Sequence, residues 1–256
     1  MDLQSFVDSN KIDVVLVQET KLMEGKTTPK LNGFSAIRAD RPSSTHPGGG
    51  LLTYVKHDIA YHKIGAAKNG EVEALMASVQ QKANKWLDLI NIYIPPRAGG
   101  NNIDWIPVKD SAIVTGDLNG HSQIWDREQT PDQMGELIVD FMIGNNLFCC
   151  NEGSATRVNR GTGGMSAPDV TLATPNLSNK ISWSTLDELG SDHRHIVIEV
   201  NHEFTNRQPQ KKRRARWKRA KTDWKQYADS VEAALEMNEN PDRSHLVRRY
   251  PPDLPQ

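Results

Sequence analysis

Apolar positions recur first at helical and then at strand spacing along the N-terminal part of the chain. Leu3, Phe6 and Val7 share one helical face, and Asn10 suits the turn that closes such a helix. Asp13-Val14-Val15-Leu16-Val17 follows as a short β-branched run, the mark of a buried strand. It ends at Gln18-Glu19-Thr20, which sets a carboxylate on a C-terminal strand edge, where sites collect in α/β proteins. Further strands are predicted over 51–55, 74–79, 86–93, 112–115, 170–172 and 195–200. Turn-forming stretches such as Pro47-Gly48-Gly49-Gly50 and 95–100 separate most of them. A second helix is predicted over 134–145, where Leu137, Ile138, Phe141 and Met142 keep helical spacing. Many strands with few helices predict an α/β four-layer sandwich, two packed and mainly antiparallel sheets flanked by helices.

Beyond Asn201 the pattern changes. Residues 207–219 are polar and basic, a modest helix is predicted over 224–237, and the tail carries Pro251, Pro252 and Pro255. The chain therefore divides, by pattern, into a domain over 1–202 and a basic linker with a partly helical tail over 203–256. An isolated helix of that length is marginal in water.

Net charge adds little globally, at −1 over 256 residues, but the stretch 211–221 is densely basic. Any grip on a polyanion must therefore be local. The run with Arg213, Arg214, Arg216 and Trp217 has three readings: a solvated linker, a nuclear-import signal, or a phosphate-contacting patch with Trp217 stacking. The two cysteines, Cys149 and Cys150, are adjacent, too few for a disulfide framework or a zinc cluster, and are expected as buried thiols. No apolar run reaches the ~20 residues of a membrane span, and the N-terminus lacks signal-peptide character. A nuclear or otherwise cytoplasmic protein, not secreted and without a membrane, is expected. The oligomeric state leaves no trace in the sequence.

Candidate chemistry sits where polar residues follow apolar strands: Gln18-Glu19-Thr20, Asn91-Ile92-Tyr93, Gly116-Asp117-Leu118-Asn119 and Ser191-Asp192-His193. A fifth segment, Ser166-Ala167-Pro168-Asp169, precedes a strand. Each alone reads as easily as a turn or helix cap, and a His beside an Asp as a structural pair. Gly48-Gly49-Gly50 lacks the Lys-Ser/Thr of a phosphate-binding loop and reads as a turn. His46, His57, His62 and His121 show no metal-ligand spacing and are expected at the surface, whereas Trp125 is expected in the core. Tyr227-Ala228-Asp229-Ser230 lacks the second Asp of a polymerase motif.

Taken together, Val17-Gln18-Glu19-Thr20, Val114-Thr115-Gly116-Asp117-Leu118-Asn119-Gly120-His121 and Gly190-Ser191-Asp192-His193 resemble the endonuclease/exonuclease/phosphatase superfamily. Within it the chain is similar, over roughly 14–200, to the apurinic-endonuclease-like domain of non-LTR retrotransposon polyproteins. The Arg216-Trp217-Lys218 segment and Asp223-Trp224 resemble the linker towards a reverse transcriptase in those elements. The resemblance implies a Mg²⁺-dependent phosphodiesterase, with Mn²⁺ as an alternative ion, acting on DNA. Glu19 would be the principal metal ligand and Asp192 a second contact. Asp117 would orient or deprotonate the attacking water, with Asn119 holding it in line. His193 would donate to the non-bridging oxygen, its tautomer fixed by Asp169, and Tyr93 would hydrogen-bond the phosphate or leaving group.

Members of that family usually begin with a strand ending in an Asn near the metal, whereas Met1 leads directly into the first helix. An N-terminally truncated domain without that strand, and without the polymerase, is therefore expected. The interval from Pro96 to Ser111 is also short for the family. Three functions compete: a DNA nickase supplying a 3′-hydroxyl for reverse transcription, a phosphatase or lipid phosphodiesterase, and an inactive nucleic-acid-binding remnant.

Overall fold

A computed structural model describes residues 2–40, 48–81, 85–96, 103–186 and 190–201. The chain divides into two units, Met1–Pro209 and Gln210–Gln256, and every described residue lies in the first. Arg213, Arg214, Arg216, Trp217 and the helix expected over 224–237 lie outside the described residues, as does His46.

The elements follow in the order α1 (Leu3–Ser9), β1 (Val14–Val17), β2 (Phe34–Ala39), β3 (Leu51–Lys56), β4 (Tyr61–Asn69), β5 (Val72–Gln80), β6 (Trp86–Tyr93) and β7 (Ala112–Asp117). Then come α2 (Gln133–Gly144), β8 (Phe148–Cys149), β9 (Arg157–Val158), β10 (Met165–Ser166), β11 (Asp169–Ala173), β12 (Ile181–Leu186) and β13 (His195–Val200). Both helices stand where the apolar spacing put them. Asp2 caps α1 by accepting the Ser5 N–H at 2.7 Å, and Asp132 caps α2 by accepting that of Gly135, also at 2.7 Å.

One sheet runs β1-β3-β2 and is antiparallel; the larger runs β4-β5-β6-β7-β11-β8, with β6 and β7 as its parallel pair. The hairpins β12–β13 and β9–β10 complete the strands. The period-two alternation of each strand divides its side chains between layers. Leu51 and Val55 of β3 meet Leu75, Leu87 and Leu89 of the larger sheet, and Trp183 of β12 joins them. Leu52 and Tyr54 face the other way, against Val7 of α1. On the far side, Ile90, Ile92 and Val114 pack against Ile138 and Phe141 of α2. The result is the four-layer sandwich expected from the pattern: helix, sheet, sheet, helix.

Strands β2, β4 and β12, and the two-residue strands β8, β9 and β10, go unannounced by the pattern. β4 is an edge strand with mostly exposed positions, including Lys63 and Lys68, which discourage pairing with another chain. β12 alternates Ser and Thr with Trp183 and so carries little hydrophobic signal.

Candidate active site

Strand register assembles the site. Tyr93 on β6 pairs with Asp117 on β7, and Asp117 in turn pairs with Asp169 on β11. Three candidate residues thus stand side by side along one rim of the larger sheet. The close approach of β6 and β7 depends on Gly116, whose φ is +154° and where a Cβ would lie 1.8 Å from the Ile92 carbonyl oxygen. Any side chain there would force apart the strands that bring Tyr93 to Asp117.

His193 reaches this rim from the loop before β13. Its Nδ1 lies 2.9 Å from Asp169 Oδ2, and the same oxygen accepts the Thr156 hydroxyl at 2.6 Å. With Nδ1–H donating to the carboxylate, Nε2 is the nitrogen left for a ligand. The loop is stitched to the β9 segment: Arg194 N–H donates to Thr156 O at 2.7 Å, and Val158 N–H to Asp192 O at 2.8 Å. Burial pushes the Asp192 carboxyl up, but the hydrogen bond that Arg157 Nε donates to its Oδ2 at 2.8 Å, together with the Arg157 and His193 charges, outweighs it and holds the carboxyl low. Asp192 is thus the ion-pair partner of Arg157, and its charge also acts on the His193 ring.

The smaller sheet supplies Glu19. Tyr93 donates its hydroxyl to Glu19 Oε1 at 2.9 Å, and Lys21 Nζ lies 3.7 Å from Oε2. Glu19 and Asn119 both take left-handed backbone, at φ +50° and +45°, an arrangement that non-glycine residues adopt at a cost and that concentrates at functional sites. Gly49 and Gly50 hold the Glu19 turn by accepting the Lys21 and Thr20 N–H groups at 2.9 and 3.1 Å. The glycine run is thus more than a turn into β3. It lets one backbone approach another, and a Cβ on Gly50 would meet Thr20 Oγ1 at 2.6 Å. Asn119 donates its amide to Ile94 O at 2.9 Å.

The electrostatics converge on Asp117. Burial, then the Asp169 charge, push its carboxyl up to about 7, against the pull of His193 and with a further push from Glu19. Its Oδ1 is buried and has no hydrogen-bond partner among the described residues. For His193, burial opposes the charged ring, but the Asp169 hydrogen bond and the Asp169, Asp117 and Asp192 charges outweigh it and raise the pKa. Ligating atoms of Asp117, Asp169 and His193 lie within 4.8 Å of one another, a cluster able to hold a metal ion. A buried, unpartnered carboxylate oxygen among acids suits a hard divalent cation. A carboxyl pushed up to about 7 beside an imidazole whose protonated form is favoured also suits proton transfer.

Thr156 escaped the sequence reading, and Gln18, Asn91 and Gly116 lay in marked segments without their own part showing. Asn91 bridges the sheets. It is fully buried, accepts from Gln18 Nε2 at 2.6 Å and donates towards Val17 O and Leu52 O at 3.2 and 3.3 Å, joining the two sheets beside Glu19. Trp125 is a core residue, as expected, with no exposed surface and Nε1 donating to Gly120 O at 3.0 Å. His57 and His62 are exposed, but His121 is half-buried and paired with Asp126, contrary to the surface position expected for it.

A two-sheet sandwich with carboxylates and a His–Asp pair at one rim is the arrangement that the resemblance to the endonuclease/exonuclease/phosphatase superfamily implies. Residues 87–197 match the family described as endonuclease-reverse transcriptase. Over 205 residues the chain is 27% identical to a probable RNA-directed DNA polymerase from transposon X-element of Drosophila melanogaster. The match covers 78% of this chain and 22% of that protein, so the chain spans about a fifth of its relative's length. In fold it is similar to the endonuclease domain of TRAS1, a telomere-specific non-LTR retrotransposon. That match has a TM-score of 0.60 and 17% identity, over 77% of this chain and 89% of the other. By sequence and fold together, the chain is similar to endonuclease-type domains of non-LTR retrotransposons. No helix among the described residues is long and apolar enough to cross a membrane.

Proposed function

We propose that the domain is a Mg²⁺-dependent phosphodiesterase that nicks DNA and leaves a 3′-hydroxyl from which a reverse transcriptase can prime. The observation that carries this reading is the Asp117–Asp169–His193 cluster with an unpartnered buried oxygen on Asp117. Glu19 would hold the ion, its carboxylate oriented by the Tyr93 hydroxyl, with the Asp117 side as the second flank of the site. The ion would supply charge neutralisation at the scissile phosphate and at the departing oxygen. Mn²⁺ satisfies the same oxygen donors.

Asp117 takes the proton from the attacking water as the new P–O bond forms, for which a carboxyl near 7 is well matched at neutral pH. Asn119, fixed through Ile94 O, keeps water and phosphate in line. His193 Nε2, aimed by Asp169, donates to a non-bridging phosphate oxygen as negative charge grows there. The bond from phosphorus to the 3′-oxygen breaks and that oxygen takes up a proton from solvent, giving 5′-phosphate and 3′-hydroxyl ends. Asp192 enters as the anchor of the His193 loop through Arg157. The domain is assigned to 1–202. Beyond it, Arg213, Arg214, Arg216 and Trp217 would add non-specific phosphate contacts, and the same run would serve nuclear import. The polymerase relative supports a reverse transcriptase as the partner activity of the full-length element.

The test is conversion of supercoiled plasmid to the open-circular form by the purified chain, in Mg²⁺ and in EDTA. Nicking in Mg²⁺ alone, with ends that a DNA polymerase extends directly, is the expected result. Intact plasmid across a range of salt, or release of phosphate from inositol phosphates without nicking, would refute the reading.

A further inference from the structure

A second His–Asp pair lies beside the first. His121 Nδ1 is 2.9 Å from Asp126 Oδ2, the same separation as in the His193–Asp169 pair. Side-chain exposures are 26% and 4% here, against 26% and 10% there. Asp126 Oδ2 also accepts the Ala167 N–H at 2.8 Å. The His121 backbone is held independently of its ring. Its N–H donates to Asp132 Oδ1 at 3.0 Å, its carbonyl accepts the Asp132 N–H at 3.1 Å, and a Cβ on Gly135 would lie 1.8 Å from that carbonyl oxygen. The helix cap and the Gly135 contact already fix the loop. Asp126 adds something different: it fixes the ring, at the cost of a buried carboxylate.

The pair also lies on the catalytic rim. His121 follows Asn119 by two residues, Asp126 is bonded two residues before Asp169, and Leu118 N–H donates to Pro168 O at 3.1 Å between the two segments. Four residues of chain carry His121 no more than about 14 Å from Asp117, Cα to Cα. That upper bound is about two phosphate intervals along one strand, so a phosphate close to the cleaved one falls within reach.

We propose that His121, oriented by Asp126, binds a backbone phosphate of the substrate strand next to the one that is cleaved. The inference rests on the phosphodiesterase reading for the position of the strand. Nδ1–H donates to Asp126, and Nε2 carries a proton to the phosphate oxygen. Such a contact positions the strand and reads no base.

The experiment is fluorescence anisotropy of a short labelled duplex with the full chain in EDTA, over a series of salt concentrations. Wild type, His121→Ala and His121→Lys are compared, with a thermal midpoint for each. The expected result is a five- to tenfold weaker Kd for His121→Ala, a log Kd against log salt slope smaller by about one, and recovery of that slope in His121→Lys. A lowered midpoint with wild-type affinity and slope would show that the pair only braces the loop, and would overturn the proposal. Failure of the Lys variant to restore the slope would do the same. Wild-type binding without Mg²⁺-dependent nicking would sink the catalytic reading while leaving this contact standing. Nicking with an unaltered slope in His121→Ala would sink the contact alone.

Discussion

Asp117 and Asp169 are register partners on adjacent antiparallel strands, so two carboxylates face the same rim at neighbouring positions. Burial and that neighbouring charge raise Asp117 from 3.8 to about 7. In the metal-free protein, the folded state keeps a proton between about pH 4 and 7 that the unfolded state has released. Stability is therefore lost as pH rises through that window. Asp117→Asn removes the penalty. In EDTA it should gain on the order of 2–4 kcal/mol at pH 8 and almost nothing at pH 4, by urea denaturation. An equal gain at both values would contradict the assignment.

Thr156 donates to the Asp169 oxygen that also orients His193, while accepting the Asp169 N–H at 3.2 Å. Thr156→Val keeps the shape and removes the donor. Nicking should fall by about tenfold, less than the 10²–10⁴-fold expected for loss of a proton-transfer group in His193→Ala. A Val variant as inactive as His193→Ala would mean that Thr156 does more than tune the pair.

Asn91 joins the sheets at the foot of Glu19. Asn91→Leu should cost about 2–4 kcal/mol, because buried carbonyls and the Gln18 amide lose their partner. Gln18→Ala should cost about 1 kcal/mol and raise the Mg²⁺ concentration needed for half-maximal nicking. Chemical denaturation and a Mg²⁺ titration separate the two effects, and an unshifted titration in Gln18→Ala would argue against the clamp.

Gly116→Ala should abolish cooperative folding or cost more than about 3 kcal/mol, since its Cβ would collide with a backbone oxygen that has no room to move. A stable Gly116→Ala protein, seen by circular dichroism melting, would mean that β6 and β7 can part without loss of the fold.

The central strands and both helices were legible because apolar periodicity dictates them. Val14–Val17, Trp86–Tyr93 and Gln133–Gly144 read directly from spacing. Edge and half-polar strands such as β4 and β12 were not, since exposed positions carry no periodic signal. Among candidate site residues, Glu19, Tyr93, Asp117, Asn119, Asp169 and His193 stand together, or one bond removed, because strand ends deliver them to one rim. What the sequence hid was which side chains would become partners. Nothing local marks Arg157 as the partner of Asp192, Thr156 as the partner of Asp169, or Asp126 as the partner of His121. Such pairings arise from register and loop packing, which residue type alone does not encode.

The most direct measurement of the central claim is plasmid nicking in Mg²⁺ by the wild-type chain beside Asp117→Asn and His193→Ala, each first shown to be folded. The account predicts open-circular product from the wild type and a loss of at least about 10²-fold in both variants. Nicking that survives either substitution undiminished would contradict it.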